Sequence, residues 1–554
     1  MDTVGRPMKF DIYPPSRMLL SAIVGQFALQ QDNWDDYHFK TTYGLYYQRP
    51  KSADLLYVGA VKILKLGQKE YEPLQITKAF DRLDDRWCSV GGDLDYYERL
   101  STIDDGDRSE ILTSLRDVVA SPALIPEFQN ELGWRKSLFR DNSRWEGFLD
   151  DATAVHNKDF SKLANLETPF SFSPNEASDV LPLNFSAPPV PNYYQEMRKL
   201  GPSEKEVLLP QRIVALIGRN GSGKSTLLSR LSHVAFASGS ARKQKTIQDL
   251  GAFAPPEINF SRIITISYSA FDSFDVPGLE GKDRVQIAKD IAAGQGRFAY
   301  CGLRDISAET EERENSATRA DSSAPARQAI TRLKSIEVLA SEFERYVTMI
   351  NNGGRRALFL AALKPLLSEP SFAQRGDEGE AEFIMNEPLN SFLSWSTGHK
   401  IALHVVASLT ARAARKSLVL FDEPEMHLHP PLTAALMQAI RIILEEVNAF
   451  CIVATHSPVV VQETLARHVR IVTRAGDTLH FRQPKLETFG ENVGLLTYDI
   501  FGLVASSTDF HEVLDLLVDG ALELETIDDL FTPALSGQAR GYVLSKLAGR
   551  AKQK

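Results

Sequence analysis

Cysteine is scarce in this sequence. Cys88, Cys301 and Cys451 are its 3 cysteines in 554 residues. They are far apart and odd in number, which gives no disulfide or zinc framework and fits a reducing cytoplasm. Long apolar runs are missing too: no stretch of about 18 uncharged apolar residues occurs, so no transmembrane helix and no membrane partner are expected. The opening MDTVGRPMKFDIYPP lacks the basic and apolar regions of a secretory signal, and a cytoplasmic location is expected. Basic charge is in deficit. The formal net charge of −10 argues against a chain-wide nucleic-acid surface. Only local runs remain as candidate contacts to DNA or RNA: Arg242-Lys243-Gln244-Lys245, Arg355-Arg356 and Arg550-Ala551-Lys552-Gln553-Lys554. Internal repeats are absent. The length calls for roughly two to four structural units.

Against these absences stands one strong motif. Gly218–Ser225 reads GRNGSGKS and follows the apolar run Ile213–Ile217, giving the order buried strand, glycine loop, helix. That is the context in which G-x-x-x-x-G-K-S binds a nucleoside triphosphate. The glycines let backbone N–H groups converge on phosphate, and the following helix adds its positive end. Gly218, Arg219, Asn220, Gly221, Ser222, Gly223, Lys224, Ser225 and Thr226 are therefore the expected nucleotide-binding residues. Lys224 should reach the β/γ-phosphates and the Ser225 hydroxyl should sit on Mg²⁺, so ATP and Mg²⁺ are the expected cofactors.

Two further apolar runs end in chemistry. Ser417-Leu418-Val419-Leu420-Phe421 leads into Asp422-Glu423-Pro424. A strand end there would put Asp422 beside the P-loop to hold Mg²⁺, directly or through water. Glu423 would then polarise the attacking water, a role typically worth about 10²–10⁴-fold. Cys451-Ile452-Val453-Ala454-Thr455 leads into His456, whose imidazole can contact the γ-phosphate and orient that water. Ser394-Trp395-Ser396-Thr397-Gly398-His399-Lys400 precedes a helical stretch, and Ser-x-Gly at a helix start offers a hydroxyl and N–H groups to an anion.

Together, the P-loop, S-T-G-H-K, F-D-E-P and T-H-S-P resemble an ABC-class ATPase. More narrowly, Glu423-Pro424-Glu425-Met426-His427-Leu428-His429-Pro430 is similar to the E-P-E-x-H-L-H-P pattern of prokaryotic AAA-type, ABC-like ATPases. That group includes RecF-like proteins, overcoming-lysogenisation-defect proteins, Septu-type anti-phage ATPases and similar retron-associated ATPases. The resemblance covers Gln211–Tyr268 and Phe392–Val472. It implies a homodimer, or a higher homo-oligomer, closing head to tail on two ATP. Ser396, Gly398 and Lys400 of one copy would face the phosphates held at Lys224 of the other. It further implies an ATPase that switches a separate effector protein, an HNH-type nuclease, in anti-phage defence. The alternative is a RecF-like repair or chromosome-maintenance ATPase that clamps DNA. Two positions depart from the pattern: His399 replaces the usual Gln, and Ser269–Asp272 stands where a Gln-bearing loop is expected. His427 and His429 are expected to be packing or dimer-contact residues rather than metal ligands.

Strands alternating with helices mean an α/β fold with a mostly parallel core sheet, and the resemblance makes it an ABC-type P-loop ATPase. An antiparallel β-subdomain, a helical insertion and a small helical C-terminal tail complete it. The expected units are an N-terminal α+β region at 1–200 contributing to the β-subdomain and a first core half at 201–300. The helical insertion follows at 301–390, a second core half at 391–480 and the tail at 481–554. Helices are expected at Leu112–Val119, Trp134–Phe139, Ala329–Ile350 and Val513–Leu524. The Glu309–Arg327 stretch reads as a linker or exposed helix start, Phe170–Pro191 as a separating passage and Gly376–Glu380 as an acidic loop. The scattered acids from Glu512 to Asp529 alternate with leucines and do not read as a nuclease centre.

Overall fold

Runs such as Ile213–Ile217 and Phe450–Ala454 are apolar at every position, so they cannot line a one-sided sheet and must be covered on both faces. In the computed structural model they are. It describes residues 9–15, 23, 26–32, 38–48, 55–140, 145–157, 159, 169–186, 188, 209–239, 241–256, 258–279, 281–317, 331–373, 379–501, 509–520 and 523–551. The expected passage at 189–191, residues 318–327 of the charge-rich stretch, residues 376–378 of the acidic loop and Lys552–Lys554 lie outside the described residues.

The first five strands, β1 (Phe10–Tyr13), β2 (Phe27–Gln31), β3 (Thr42–Gln48), β4 (Leu55–Lys65) and β5 (Trp87–Gly91), form a sheet in that spatial order. All its pairings are antiparallel except β1 with β2. Next come β6 (Phe170–Ser173), β7 (Leu181–Leu183), the P-loop strand β8 (Ile213–Ile217) and β9 (Ala252–Ala254). The remaining strands are β10 (Ile263–Ser267), β11 (Phe298–Gly302), β12 (Leu418–Asp422), β13 (Phe450–Thr455), β14 (Val469–Ala475) and β15 (Thr478–Arg482). A seven-stranded sheet runs β11-β10-β12-β13-β8-β14-β15 and is parallel except for the β14–β15 hairpin. The order β7-β6-β9 makes a small antiparallel sheet. The fold is thus α/β with a mostly parallel core, as expected.

The register of the core is level. Gly302, Ser267, Asp422, Ala454 and Leu216 lie side by side across five strands, and Thr455 pairs with Ile217. The carboxyl ends of β8, β10, β12 and β13 therefore open onto one crevice, the place where parallel sheets bind ligands. The Lys224–Phe236 helix covers one face of the sheet, burying Leu227, Leu228 and Leu231 against Val214 and Leu420. The opposite face carries the helices Ile336–Asn352, Arg356–Leu367, Thr397–Arg412 and Pro430–Val447, with Phe343, Leu363, Val406 and Ile440 in their shared core.

The β1–β5 sheet has its own core around Phe27, Leu45, Tyr97 and Trp134. Its helix Leu94–Leu100 carries three ion pairs to the parallel-sheet core. Asp95 meets Arg297 at 3.1 Å, Glu98 meets Arg262 at 2.7 Å and Arg99 meets Asp290 at 3.0 Å. Lys416 adds a fourth with Asp151 at 3.4 Å. Arg297 and Arg262 immediately precede β11 and β10, and Lys416 stands two residues before β12, so this joint lies at the amino ends of the strands.

Several helix boundaries differ from expectation. The helix expected over Ala329–Ile350, whose residues 329 and 330 lie outside the described residues, starts at Ile336, where the Ser335 hydroxyl caps the Val338 N–H. The chain just before it pairs with the edge of β11 instead, the Lys334 N–H donating to Leu303 O at 2.8 Å. Leu112–Val119 is not a helix: the Asp105–Ser114 helix stops at Leu115 because Arg116 adopts φ +53° and Asp117 caps the N–H groups of Val119 and Ala120. Trp134–Leu138 is one wide helical turn, closed by the Phe139 N–H on Trp134 O. Residues 309–317 of the charge-rich stretch are helical, within the helix Ile306–Ala317.

A second compact unit spans Gly490–Lys554. Its helices Asp509–Asp519, Leu524–Asp528 and Gly537–Ala551 bury Leu514, Val518, Ile527 and Val543 together. The single helix expected over Val513–Leu524 is interrupted at Gly520. Among the described residues no helix is long and apolar enough to cross a membrane.

Candidate active site

The loop after β8 is shaped by its glycines. Gly221 and Gly223 hold φ of +78° and +88°, a left-handed conformation that side chains resist. A Cβ on Gly218 would come within 2.3 Å of the Val472 carbonyl on β14. Gly223, as N-cap of the Lys224–Phe236 helix, supplies no side-chain acceptor to the helix's first N–H groups. The buried Ser222 hydroxyl also has no hydrogen-bond partner. Lys224 is buried, and its Nζ donates to Gly218 O at 2.8 Å and Arg219 O at 3.2 Å. Burial lowers the Lys224 pKa, while Glu423, Asp422 and Glu425 act to hold its charge. Arg219, Asn220, Gly221 and Thr226 sit exposed at the rim. Unpartnered donors around a buried cation suit a polyphosphate.

Ser225 and Asp422 are brought together, the serine Oγ donating to Asp422 Oδ1 at 3.0 Å. Asp422 is 3% exposed. Burial pushes its carboxyl up to about 7, with the Ser225 bond opposing and the nearby Glu423 and Asp272 adding to the rise. A divalent cation beside these two oxygens would relieve that charge crowding, so the pair fits a Mg²⁺ site. Glu423 leaves β12 through a left-handed residue, φ +53°, with its N–H on Ala454 O at 2.8 Å. His456 Nδ1 stands 3.6 Å from Glu423 Oε1 and 3.2 Å from Glu425 Oε1. Lys224, Ser225, Asp422, Glu423 and His456 thus converge on one end of the sheet.

Sequence reasoning missed several participants. Glu425 Oε1 accepts from the Thr455 hydroxyl and the His456 N–H, both at 2.8 Å, and so fixes the end of β13. The second acid of Glu423-Pro424-Glu425 was the available signal. In the Ser269–Asp272 loop, Asp272 is buried, accepting from Arg304 and from the Tyr300 hydroxyl, each at 2.8 Å. Just ahead of it, the Tyr268 hydroxyl lies 2.7 Å from His404 Nδ1, and Cys301 Sγ lies 3.2 Å from the same atom. His404 Nε2 faces Glu342 at 3.4 Å. This network ties the loop to the Thr397–Arg412 helix and to the inserted Ile336–Asn352 helix.

The remaining predicted residues sit elsewhere. Ser396 is the exposed N-cap of the Thr397–Arg412 helix, its Oγ 2.8 Å from His399 Nδ1. Gly398 permits a close crossing, since a Cβ there would lie 2.9 Å from His427 O. Lys400 is half-buried one turn from Ser396. Among the described residues, no hydrogen bond or ion pair joins Ser396, Gly398 or Lys400 to the Lys224–His456 cluster. His429 caps the Pro430–Val447 helix through Nδ1, which accepts from the Leu432 N–H at 3.2 Å. Two of the basic runs are also structural. The Arg242 guanidinium donates to the carbonyls of Val234, Ala235, Pro256 and Ile258, and Arg355 to those of Thr410, Ala411 and Ala413.

Residues 213–462 match the protein-family model described as "AAA domain, putative AbiEii toxin, Type IV TA system". That stretch, which holds the glycine loop, Asp422, Glu423 and His456, is thus similar to an AAA-type domain. It is 28% identical to Protein ea59 of Escherichia phage lambda, over 90% of this chain and 90% of that protein. Among solved structures it is similar to cbiO1 from Clostridium perfringens, part of the ABC transporter complex cbiONQ. That likeness has 13% identity, a TM-score of 0.24 and coverage of 57% of this chain and 87% of the other. The SmcHead bound to the C-winged helix domain of ScpA matches with 12% identity and a TM-score of 0.25, over 58% and 97% of the two chains.

Proposed function

We propose that this chain binds and hydrolyses ATP and uses it to close a dimer. The observation that carries this reading is the Ser225–Asp422 hydrogen bond beneath the glycine loop, with Glu423 and His456 beside it. Lys224 and the N–H groups of Gly221 to Ser225 hold the triphosphate, and Ser225 with Asp422 holds the metal. When bound, Mg²⁺ supplies charge neutralisation for the transferring phosphoryl group. Glu423 is the base that polarises the attacking water. His456, held by Glu425, faces both that water and the terminal phosphate.

The second half of the site comes from another copy. Ser396 is exposed at a helix start and takes no part in the hydrogen bonds of the Lys224 cluster. A head-to-tail dimer would bring Ser396, the N–H of Gly398 and the Lys400 charge onto the partner's ATP. In the cell we assign the dimer to the cytoplasm, as the switch of an anti-phage defence system acting on a separate effector, an HNH-type nuclease. The E-P-E-x-H-L-H-P resemblance supports this, and the AbiEii toxin wording of the family description together with a relative in a phage genome fits a role in the contest between phage and host. The DNA-clamping alternative draws no support from Arg242 and Arg355, which bind backbone carbonyls.

The test is Glu423→Gln with ATP. It should retain nucleotide, turn over at least about tenfold more slowly and accumulate as a dimer by light scattering. Wild-type turnover, or a monomer at saturating ATP, would overturn the reading.

A further inference from the structure

The hydrogen bonds around Ser396 form one chain, and the proton positions along it follow from its far end. His429 Nδ1 accepts the Leu432 N–H at 3.2 Å, so a neutral His429 carries its proton on Nε2. That Nε2 lies 3.2 Å from Ser371 Oγ. Ser371 also makes a short hydrogen bond to Glu369 Oε2, which accepts the Ser371 N–H at 2.9 Å as well. A carboxylate can only accept, so the Ser371 hydroxyl proton is directed at Glu369. Burial acts to raise the Glu369 pKa, but its Ser371 bonds and His429 outweigh this and keep it ionised.

With its proton committed, Ser371 Oγ can only accept from His399 Nε2 at 2.8 Å. A neutral His399 is then protonated on Nε2, and its Nδ1 is an acceptor. Ser396 Oγ, 2.8 Å from that Nδ1, must donate to it. In this state Ser396 presents lone pairs outward, which suits no phosphate oxygen. An imidazolium donates from both nitrogens. Its Nδ1–H would bond the Ser396 oxygen, free the hydroxyl proton and add a positive charge beside it.

We propose that His399 is a proton gate on Ser396: uptake of one proton from solvent at Nδ1 releases the Ser396 hydroxyl to donate to the terminal phosphate held by a second copy. This rests on the dimer reading above. Among the described residues, the groups facing His399 are Glu369, which favours the proton, and His429 across Ser371 and Lys400 on its own helix, which oppose it, while the incoming phosphates favour it. Phe372 and Trp395 wall the ring apolarly at 4.1 and 5.1 Å between centroids. His399 acts through Ser396 and is a positioning residue.

The test uses the full chain with Mg²⁺ and a non-hydrolysable ATP analogue between pH 6 and 9. Sedimentation gives the dimer affinity, and calorimetry in buffers of different ionisation enthalpy gives the proton count. The wild type should take up about one proton per site, and its dimer affinity should fall about tenfold per site per pH unit on the alkaline limb. His399→Gln should bind the analogue as a monomer with unchanged affinity yet dimerise independently of pH. Ser371→Ala, which no longer dictates the His399 tautomer, should flatten the pH profile while His399 remains. Dimerisation of the wild type without proton uptake, or the same uptake in His399→Gln, overturns the gate alone. No analogue-driven dimer at any pH overturns the dimer reading and the gate with it.

Discussion

Glu425 accepts hydrogen bonds from both the Thr455 hydroxyl and the His456 N–H, so an acid two residues beyond Glu423 sets where the histidine stands. The contact exists because β12 and β13 run in register, Asp422 beside Ala454. Glu425→Ala frees both donors and leaves His456 facing only Glu423. Turnover should fall about tenfold or more with nucleotide affinity unchanged, measured by phosphate release beside a binding titration. Undiminished turnover would remove Glu425 from the site.

Lys224→Ala deletes the buried cation that bonds Gly218 O and Arg219 O. Because the buried acids beside it lose their counter-charge as well, nucleotide affinity should drop at least about a hundredfold. A titration with a fluorescent ATP analogue reads this directly, and wild-type affinity would contradict the assignment.

Asp422 ties function to pH. Its carboxyl titrates near 7 when folded and near the ordinary aspartate value of about 3.9 when unfolded, so between these the folded state holds the extra proton. Stability should therefore fall as pH rises through that window, and the loss is complete above 7. Asp422→Asn lacks this term. Without nucleotide at pH 8 it should melt above the wild type, with the difference gone near pH 4. With Mg²⁺ and ATP the order should reverse, and EDTA should cancel the reversal.

Glu342→Gln tests the network behind the Ser269–Asp272 loop. Burial would raise the Glu342 pKa, but His404 and Lys334 lower it to about 2. Burial would lower that of His404, yet Cys301 and Glu342 raise it to about 9. The His404 contribution is present below its unfolded value of about 6.5 and is lost as pH rises through about 9. Removing the carboxylate leaves two buried cations, at a cost of about 3 kcal/mol. Urea unfolding at neutral pH should show the lower midpoint, and the variant's decline between pH 6.5 and 9 should be shallower.

Gly398→Ala sets a methyl group 2.9 Å from the His427 carbonyl. Backbone must shift, so we expect a loss of about 1–3 kcal/mol and a weakened ATP-dependent dimer, while ATP binding to the monomer persists. Calorimetric melting and sedimentation separate the two effects.

The parallel core and the Lys224–Asp422–His456 cluster were legible because contiguous apolar runs and fixed spacings report short-range constraints. What escaped depends on distant partners. Phe298–Gly302 becomes β11 only because β10 offers an edge. Arg242 and Arg355 look like solvated basic runs until nearby helix ends present them with carbonyls. The Ser396 wiring draws on Glu369, Ser371 and His429, all distant from Ser396 in the sequence, and no local pattern announces it.

The four ion pairs of the N-terminal region gather where the parallel strands begin, while Lys224, Asp422, Glu423 and His456 gather where they finish. A five-residue strand is about 16 Å long. Each strand is thus a short rigid strut with a docking surface at one end and chemistry at the other. Substitutions that refit the docked region can accumulate without disturbing the far end, so one crevice can be carried unchanged from one attachment to the next.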